Sequence, residues 1–251
     1  MSEYIAGSEE LFVEQMNRRA KELGMNDTCF KNCHGIDEDG HVTSAYDIAL
    51  MSRELIKHKK VSEYATIWMD TIRNGEFGLT NTNRLVRFYK GITGLKTGST
   101  SKAGFCVSAT AKRDGMELIA VIMGAESSEN RNACATKLLD YGFANFSIYE
   151  DTANDYGTIQ ILGGTKNSVA VKYDGFIQLL TKGKNKQINK EIEIIENIDA
   201  PVKKGDIVGK IKYISDGEII GENNIYCKEN ADKISFWEYF IRVLKNFVIN
   251  N

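Results

Sequence analysis

Two early segments of the chain place their apolar residues at helical spacing. In residues 8–24, an apolar residue recurs every three or four positions behind Ser8, a residue type that favours helix starts. In residues 43–56, Ser44 and Asp47 form the pattern of a capping box ahead of a second apolar stripe. The spacing predicts two amphipathic helices, and the turn-rich stretch between them is expected to form a loop.

In residues 104–125 the apolar positions instead alternate with a period of two, on both sides of Asp114-Gly115. This dipeptide between alternating runs is a strong signal for a two-residue hairpin turn. Serines then open another helical pattern over residues 127–143, which we expect to end at Gly142. Helices combined with an antiparallel sheet are typical of an α+β fold.

The next part of the chain, from about residue 150 to residue 230, consists of short apolar runs separated by glycine, asparagine and aspartate. Asp216-Gly217 joins two of these runs as the earlier dipeptide does. Such spacing predicts a small module made only of strands.

The last segment, residues 234–250, has an amphipathic helical pattern. Phe236, Phe240, Leu244 and Phe247 share one face, and charged residues interrupt the segment. It is too short and too charged to span a bilayer, but a helix of this kind can lie in the plane of the membrane interface. Docking on its own domain or on a second copy of the chain is the alternative.

These patterns divide the chain into three parts. We assign residues 1–147 to a domain of helices and antiparallel sheet, residues 148–232 to a small β-rich domain, and residues 233–251 to an amphipathic membrane-anchor helix. The predicted fold class is α+β.

Composition narrows the possible functions. Of the 251 residues, 42% are hydrophobic and 26% charged, as in packed globular proteins, and a net charge of -2 gives no electrostatic case for nucleic acid. The five cysteines are an odd number in a chain too long to need disulfide staples, so we interpret them as small core residues. The first residues show no basic stretch followed by an apolar run, so no signal peptide is predicted.

Lys96-Thr97-Gly98 is the first candidate for chemistry. A lysine ammonium on a strand edge attracts an anionic ligand, a threonine hydroxyl can donate to a carboxylate, and a glycine lets a ligand backbone approach closely. A bare K-T-G is common by chance, so the motif gains weight only from its surroundings. Those surroundings, residues 81–131, resemble the serine-type D-alanyl-D-alanine carboxypeptidases, the low-molecular-mass penicillin-binding proteins.

The resemblance extends over essentially the whole chain. Residues 3–37 look like the family's region between its second and third motifs, and residues 200–211 with the tail resemble its C-terminal domain and membrane anchor. It implies part of a DD-peptidase/β-lactamase-like domain, no metal or organic cofactor, and an Arg131 that helps to hold the substrate's terminal carboxylate. The residues implied to bind the acyl-D-Ala-D-Ala peptide along one strand are Lys96, Thr97, Gly98, Ser99 and Thr100.

One part of the family's pattern is missing from residues 1–93, which contain neither S-x-x-K nor S-x-N. The two matches in the chain, Ser99 to Lys102 and residues 128–130, both follow K-T-G, so their order is wrong for the family. Ser99 and Lys102 would also point to opposite faces of a strand, so we do not interpret them as nucleophile and base. We expect Met1 to be an internal residue of a longer protein, with the signal peptide, the serine nucleophile and its lysine ahead of it.

Cys29, Cys33, His34 and His41 crowd the loop between the first two predicted helices. These are residue types that bind zinc, but no C-x-x-C pair is present, so we expect no metal site. Cys33 is interpreted as an incidental thiol, and His34 as a structural histidine or a residue that lines a cleft.

The predicted function is that of a D-alanyl-D-alanine carboxypeptidase of peptidoglycan maturation, which removes the terminal D-Ala of the stem peptide through a serine acyl-enzyme. The resemblance also implies β-lactam binding by the intact protein and a location on the extracytoplasmic face of the bacterial membrane, contacted through the tail. Without the nucleophile, this chain alone is expected to fold poorly and to be inactive. The alternatives are a non-catalytic, membrane-associated peptide-binding protein or one half of a split enzyme.

Overall fold

The computed structural model of the chain describes residues 1–152, 154–183 and 188–249. The chain divides into two units, Met1–Asn145 and Phe146–Asn251. The first combines helices with an antiparallel sheet, and the second is built mainly from strands. The α+β fold class predicted from the sequence is therefore confirmed.

The longer helices of the first unit begin where the sequence predicts caps. Ser8 Oγ accepts a hydrogen bond from Leu11 N, and Ser44 Oγ accepts one from Asp47 N, both at 3.2 Å. The two predicted amphipathic helices are confirmed, and the short helices α1, α4 and α5 span too few residues for a periodic pattern to show. The helices are α1 (Ser2–Ala6), α2 (Glu9–Glu22), α3 (Ala45–Leu55), α4 (Lys59–Ala65), α5 (Leu85–Phe88) and α6 (Ser128–Asn145).

The sheet of the first unit carries the K-T-G motif on an edge strand. Its strands pair antiparallel in the order β3-β4-β5, so β3 has a neighbour on one side within this sheet. The predicted hairpin is confirmed, because Asp114 and Gly115 both have the positive φ of a type I′ turn, 48° and 79°. The strands are β1 (Met69–Ile72) and β2 (Phe77–Thr80), which form a separate exposed hairpin, and β3 (Ile92–Thr100), β4 (Gly104–Arg113) and β5 (Met116–Ala125).

This sheet lies between α3 and α6. The hydroxyls of Ser52 in α3 and Ser108 in β4 are 2.7 Å apart, so α3 covers the face that carries Ser108. On the opposite face, Gly142 of α6 lies against Leu118 of β5, where a Cβ would overlap the leucine side chain. The prediction that this helix ends at Gly142 is wrong: it continues to Asn145, and the glycine allows close packing on the sheet.

The second unit contains a six-stranded sheet in the order β10-β12-β13-β8-β7-β11 and a separate β6-β9 pair. The predicted hairpin at Asp216-Gly217 is confirmed, with φ of 52° and 82°. The strands are β6 (Phe146–Asp151), β7 (Asn154–Leu162), β8 (Ser168–Tyr173), β9 (Phe176–Thr181), β10 (Asn189–Ile194), β11 (Asn197–Asp199), β12 (Ile207–Ser215) and β13 (Glu218–Cys227).

The last helix, α7 (Phe236–Ile249), joins this unit through a polar contact. Arg242 donates to the carbonyl of Thr165 at 2.9 Å and to Asn167 Oδ1 at 2.8 Å. On the predicted apolar face, Phe236 is 74% exposed and Leu244 47% exposed. The side chain of Phe247, which we assigned to the same face, lies outside the part of the chain described at that level. In the described ranges, α7 and the other helices are too short or too polar to cross a bilayer.

Candidate active site

A cleft of about 780 Å³ lies in the first unit beside the stretch of β3 that carries K-T-G. It brings together five of the six residues that the resemblance implies in substrate binding: Lys96, Thr97, Gly98, Ser99 and Arg131. The rest of its lining comes from Trp68, Thr80, Asn81, Thr82, Arg84, Phe88, Phe105 and Ser128.

The K-T-G stretch presents an open strand edge to this cleft. Lys96 is exposed, and its Nζ donates to the carbonyl of Thr97 at 2.5 Å. A Cβ placed on Gly98 would meet nothing within 4 Å, so there is room for a ligand against the backbone. An extended peptide can pair with such an edge through main-chain hydrogen bonds.

Thr97 is tied to a polar segment that sequence reasoning missed, residues 81–83. The hydroxyls of Thr97 and Thr82 lie 2.6 Å apart, and Asn83 Nδ2 donates to the carbonyl of Gly94 at 3.2 Å. Asn83 is 1% exposed, so this amide fixes the segment to β3 from inside the core. The signal in the sequence is the polar run Asn-Thr-Asn, which lies shortly before K-T-G.

Arg131, in the first turns of α6, is a buried cation without an acidic partner. It is 5% exposed, and its guanidinium donates to Asn132 Oδ1 at 3.2 Å and to the carbonyl of Thr82 at 3.4 Å. Within the described part of the chain, no carboxylate oxygen lies within 4.0 Å of it. Burial lowers its pKa, because removal from water penalises the charged form. An arginine in this state favours a bound anion, and its planar fork suits a carboxylate.

Thr100, the sixth implied residue, lies at the far end of β3 and outside this cleft. Its hydroxyl donates to Asp37 Oδ1 at 2.6 Å and accepts from Ala103 N at 2.9 Å. Because its single proton already goes to Asp37, the Thr100 hydroxyl has no donor left for a peptide along the strand.

The spelling S-x-x-K between Ser99 and Lys102 does not form a nucleophile and base. The sequence analysis placed Ser99 and Lys102 on opposite faces of one strand. This placement is wrong for Lys102, which lies in the turn between β3 and β4. Its ammonium pairs with Asp39 at 3.3 Å, and its backbone N–H donates to Asp37 Oδ2 at 3.3 Å. Lys102 therefore anchors the turn to the neighbouring loop.

The loop rich in cysteine and histidine is held together by ordinary hydrogen bonds. Cys33 Sγ donates to Glu9 Oε1 at 3.2 Å, which together with the Cys33 backbone N–H lowers the pKa of Glu9. His41 Nδ1 accepts from Lys31 N at 3.3 Å, and His34 Nδ1 accepts from the backbone N–H two residues further along the chain. In the ranges the structure covers, no three potential metal ligands gather at one point. All five cysteines are free thiols, but the interpretation of them as small core residues is correct only for Cys227, since the other four are half-buried or exposed.

Comparison with known proteins gives a consistent picture. Residues 1–127 match the family described as D-alanyl-D-alanine carboxypeptidase, and residues 143–233 match the C-terminal domain of penicillin-binding protein 5. The chain is 38% identical over 252 residues to D-alanyl-D-alanine carboxypeptidase DacF of Bacillus subtilis. That match covers 97% of this chain and 64% of the relative, so the chain spans less than two thirds of that protein's length.

Solved structures show the same likeness. Penicillin binding protein 5 from Haemophilus influenzae superposes with a TM-score of 0.70 at 29% identity, covering 92% of this chain and 69% of that one. Penicillin-binding protein D2 from Listeria monocytogenes, in its ampicillin-bound form, gives a TM-score of 0.52 at 36% identity, covering 57% of this chain and 59% of that one. The resemblance inferred from the K-T-G region is confirmed, and the chain belongs to the D-alanyl-D-alanine carboxypeptidase family.

Proposed function

We propose that this chain functions in the D-alanyl-D-alanine carboxypeptidase reaction of peptidoglycan metabolism. In this proposal its cleft beside β3 binds the end of the stem peptide. The observation that carries the proposal is Arg131, a buried arginine without a carboxylate partner in the described residues, facing the K-T-G cleft. A protein retains such an uncompensated cation at a cost in stability, and a carboxylate ligand offsets that cost.

The peptide lies along β3 in this proposal. Main-chain groups of Gly98, Ser99 and Thr100 pair with the peptide backbone, and Lys96 adds a positive charge at the reacting end. The terminal carboxylate of the D-Ala-D-Ala unit is held by Arg131 and by the hydroxyl of Thr97. β-Lactams occupy the same strand edge in this proposal, which draws support from the ampicillin-bound relative.

The acyl transfer itself needs a nucleophile. In the family reaction a serine hydroxyl, activated by a lysine, attacks the penultimate D-Ala carbonyl. The bond to the terminal D-Ala then breaks as its nitrogen takes up a proton, and water hydrolyses the resulting ester. Because residues 1–93 contain no S-x-x-K or S-x-N, we propose that the polypeptide 1–251 alone does not form this ester. A fluorescent penicillin is therefore expected to leave the purified chain unlabelled after denaturing electrophoresis; a stable label would contradict this part of the proposal.

The binding part of the proposal is tested without catalysis. The probes are N-acetyl-D-Ala-D-Ala and the same dipeptide with a C-terminal amide, titrated into the 251-residue chain and followed by the backbone amide resonances of β3 in NMR spectra. The acid is expected to bind at least about tenfold more tightly than the amide, because a charge-assisted pair with arginine is lost in the amide. Equal affinities, or no binding of either peptide, would contradict the proposal. N-acetyl-L-Ala-L-Ala serves as the control for stereochemistry.

A second role, at the membrane surface, is favoured by α7. Phe236 and Trp237 are 74% and 70% exposed at the start of this helix, where a terminal helix docked on its own unit would bury them. We propose that residues 233–251 lie on the extracytoplasmic face of the membrane, as the division into 1–147, 148–232 and 233–251 assumed. A membrane contact through α7 fits an enzyme, a non-catalytic binding protein and one half of a split enzyme equally well, so it does not distinguish between them.

Lipid binding is measured by sedimentation with phosphatidylcholine–phosphatidylglycerol vesicles and by the emission of Trp237. The chain is expected to sediment with the vesicles and the emission to shift to shorter wavelength. Phe236→Ser combined with Phe240→Ser is expected to abolish both effects, while Ile177→Ser on the exposed surface of β9 leaves them unchanged. Vesicle binding that survives the double substitution would contradict the role of α7.

A further inference from the structure

We infer that Thr82 is a positioning residue of the carboxylate site. Its side chain orients the hydroxyl of Thr97, and its backbone carbonyl holds Arg131 in place. The inference rests on the proposed function of the cleft and adds a residue that lies outside the K-T-G strand and the arginine helix. It follows from the two contacts that Thr82 makes, one through its side chain and one through its backbone.

The contact between the side chains of Thr82 and Thr97 fixes the direction of a hydroxyl proton. The hydroxyl oxygens of Thr82 and Thr97 are 2.6 Å apart, so one of the two protons lies between them. Each hydroxyl carries a single proton, so whichever oxygen accepts keeps its own proton for another partner. Thr97 is only 7% exposed, and the pair lines the cleft. The two threonines together therefore present one oriented donor to a ligand in the cleft, whereas an isolated hydroxyl would rotate freely.

The backbone contact reaches the arginine. The carbonyl of Thr82 accepts from Arg131 Nη2 at 3.4 Å, and Asn132 Oδ1 accepts from Nε and Nη2. Among the described residues, this leaves the two N–H groups of Nη1 for a ligand. Asn81 Oδ1 accepts from the backbone N–H of Asn83 at 2.9 Å, and Asn83 is itself anchored to β3. Thr82 is thus held on a fixed stretch of backbone between the two groups proposed to share the carboxylate.

This arrangement predicts a specific effect on ligand choice. The two oxygens of a carboxylate accept from the oriented hydroxyl and from the guanidinium, one each, whereas a carboxamide has one oxygen and places its NH2 group, a donor, against the other of these two donors. Removing the Thr82 hydroxyl should therefore weaken the binding of the acid and leave the binding of the amide nearly unchanged. A residue that only supports the fold would change both affinities together.

The test uses the 251-residue chain with N-acetyl-D-Ala-D-Ala and its C-terminal amide, titrated by NMR. Thr82→Val keeps the shape and the backbone carbonyl but removes the hydroxyl, Thr82→Ala removes it with less bulk, and Thr82→Ser keeps it. The control is Thr93→Val, which breaks a second threonine pair of similar length, Thr93 to Thr110 at 2.8 Å, together with a contact to Glu117 at 2.9 Å, away from the cleft. Dispersed amide resonances show that each variant is folded.

Thr82→Val and Thr82→Ala are expected to lower the ratio of acid to amide affinity by about tenfold, whereas Thr82→Ser and Thr93→Val keep it within about twofold of the unmodified chain. An unchanged ratio in both hydroxyl-free variants, or an equal loss in Thr82→Ser or Thr93→Val, would overturn the inference alone. A ratio of one in the unmodified chain would overturn the proposed function and this inference with it.

Discussion

Asp151 in the second unit and Arg131 in the first are both buried charged side chains, at 8% and 5% exposure. Asp151 accepts from the hydroxyl of Tyr213 at 2.8 Å and pairs with the ammonium of Lys190 at 2.7 Å. Arg131 has a backbone carbonyl and an amide oxygen as its only hydrogen-bond acceptors among the described residues. The carboxylate in the second unit is neutralised by a lysine of the same unit, whereas the cation in the first has no carboxylate within 4.0 Å among the described residues.

The apolar interiors of the two units also differ, because that of the second unit is closed and that of the first is partly open to solvent. The second unit buries large aliphatic and aromatic side chains from both halves of its sheet, among them Val171, Ile211 and Ile225. The buried positions of the central strands in the first unit include several alanines, and a groove of about 320 Å³ between α3 and the sheet leaves Leu55 and Met123 each 39% exposed. A closed core serves stability, and an open one leaves surface for other contacts.

The largest effect is expected from matched truncations in these two interiors. Ile225→Ala removes a fully buried side chain and should lower the free energy of unfolding by about 2–5 kcal/mol, because it leaves a cavity. Leu55→Ala, in the open groove, should cost less than about 1.5 kcal/mol, since much of the side chain already contacts solvent. Urea unfolding followed by circular dichroism measures both. Equal losses would remove the distinction between a closed and an open core.

Removing each of the two buried charges should change the free energy of unfolding differently. Asp151→Asn breaks a satisfied cluster around Lys190 and Tyr213, and it should destabilise the chain by about 1–3 kcal/mol. Arg131→Gln removes a charge that lacks an acidic partner, so the free energy of unfolding should stay the same or rise. Thermal unfolding in the absence of ligand compares the two. A loss in Arg131→Gln as large as that in Asp151→Asn would mean that the arginine serves the fold.

The two units are alike in one respect, a tyrosine hydroxyl that donates to an aspartate. In the first unit, burial and the hydrogen bond to Asp140 raise the pKa of Tyr89 to about 12. A raised folded pKa stabilises the fold below the unfolded pKa of about 10, and this contribution is lost as the pH rises from about 10 to about 12.

The chain should therefore lose about 1 kcal/mol through Tyr89 between pH 9 and pH 11. Tyr89→Phe has no proton to lose at this position, so its stability should fall less over the same interval. Unfolding curves at pH 9, 10 and 11 provide the comparison. Parallel losses in the two proteins would show that Tyr89 does not ionise differently in the folded and unfolded states.

The smallest effect is expected at Lys102. Its pairing partner Asp39 is fully exposed, and the lysine side chain is itself 71% exposed, so the ion pair is screened by water. Lys102→Ala should leave unfolding and the binding of N-acetyl-D-Ala-D-Ala unchanged, whereas Lys96→Ala should weaken binding. Loss of binding in Lys102→Ala would revive the S-x-x-K spelling as a functional element.

The two hairpins that turn at Asp-Gly were predictable because their signals are local, whereas the β1-β2 hairpin of the first unit was not predicted. The two Asp-Gly hairpins and the alternating runs beside them can be predicted from a few neighbouring residues. Strands β6 and β9, which form a separate two-stranded pair, were not predicted because β6 directly follows a helix and β9 follows the β8 strand after two residues.

The candidate site was predictable only in part. Lys96 and its neighbours are contiguous in a recognisable motif, and Arg131 was assigned through the family resemblance. Thr82 lies 15 positions before Thr97 and 49 positions before Arg131, so its two contacts depend on tertiary packing and have no periodic signal. The partners of Thr100 and Lys102 come from a loop more than 60 residues away and were missed for the same reason.

The most direct test of the central claim compares the two arginines that line the cleft. Arg131 is buried without an acidic partner in the described chain, whereas Arg84 is 63% exposed and lies 3.9 Å from Glu129. The ratio of acid to amide affinity for N-acetyl-D-Ala-D-Ala is measured in Arg131→Gln and in Arg84→Gln. We expect the ratio to fall to about one in Arg131→Gln and to change less than about threefold in Arg84→Gln. A ratio that survives in Arg131→Gln would contradict the claim that this buried arginine binds the terminal carboxylate.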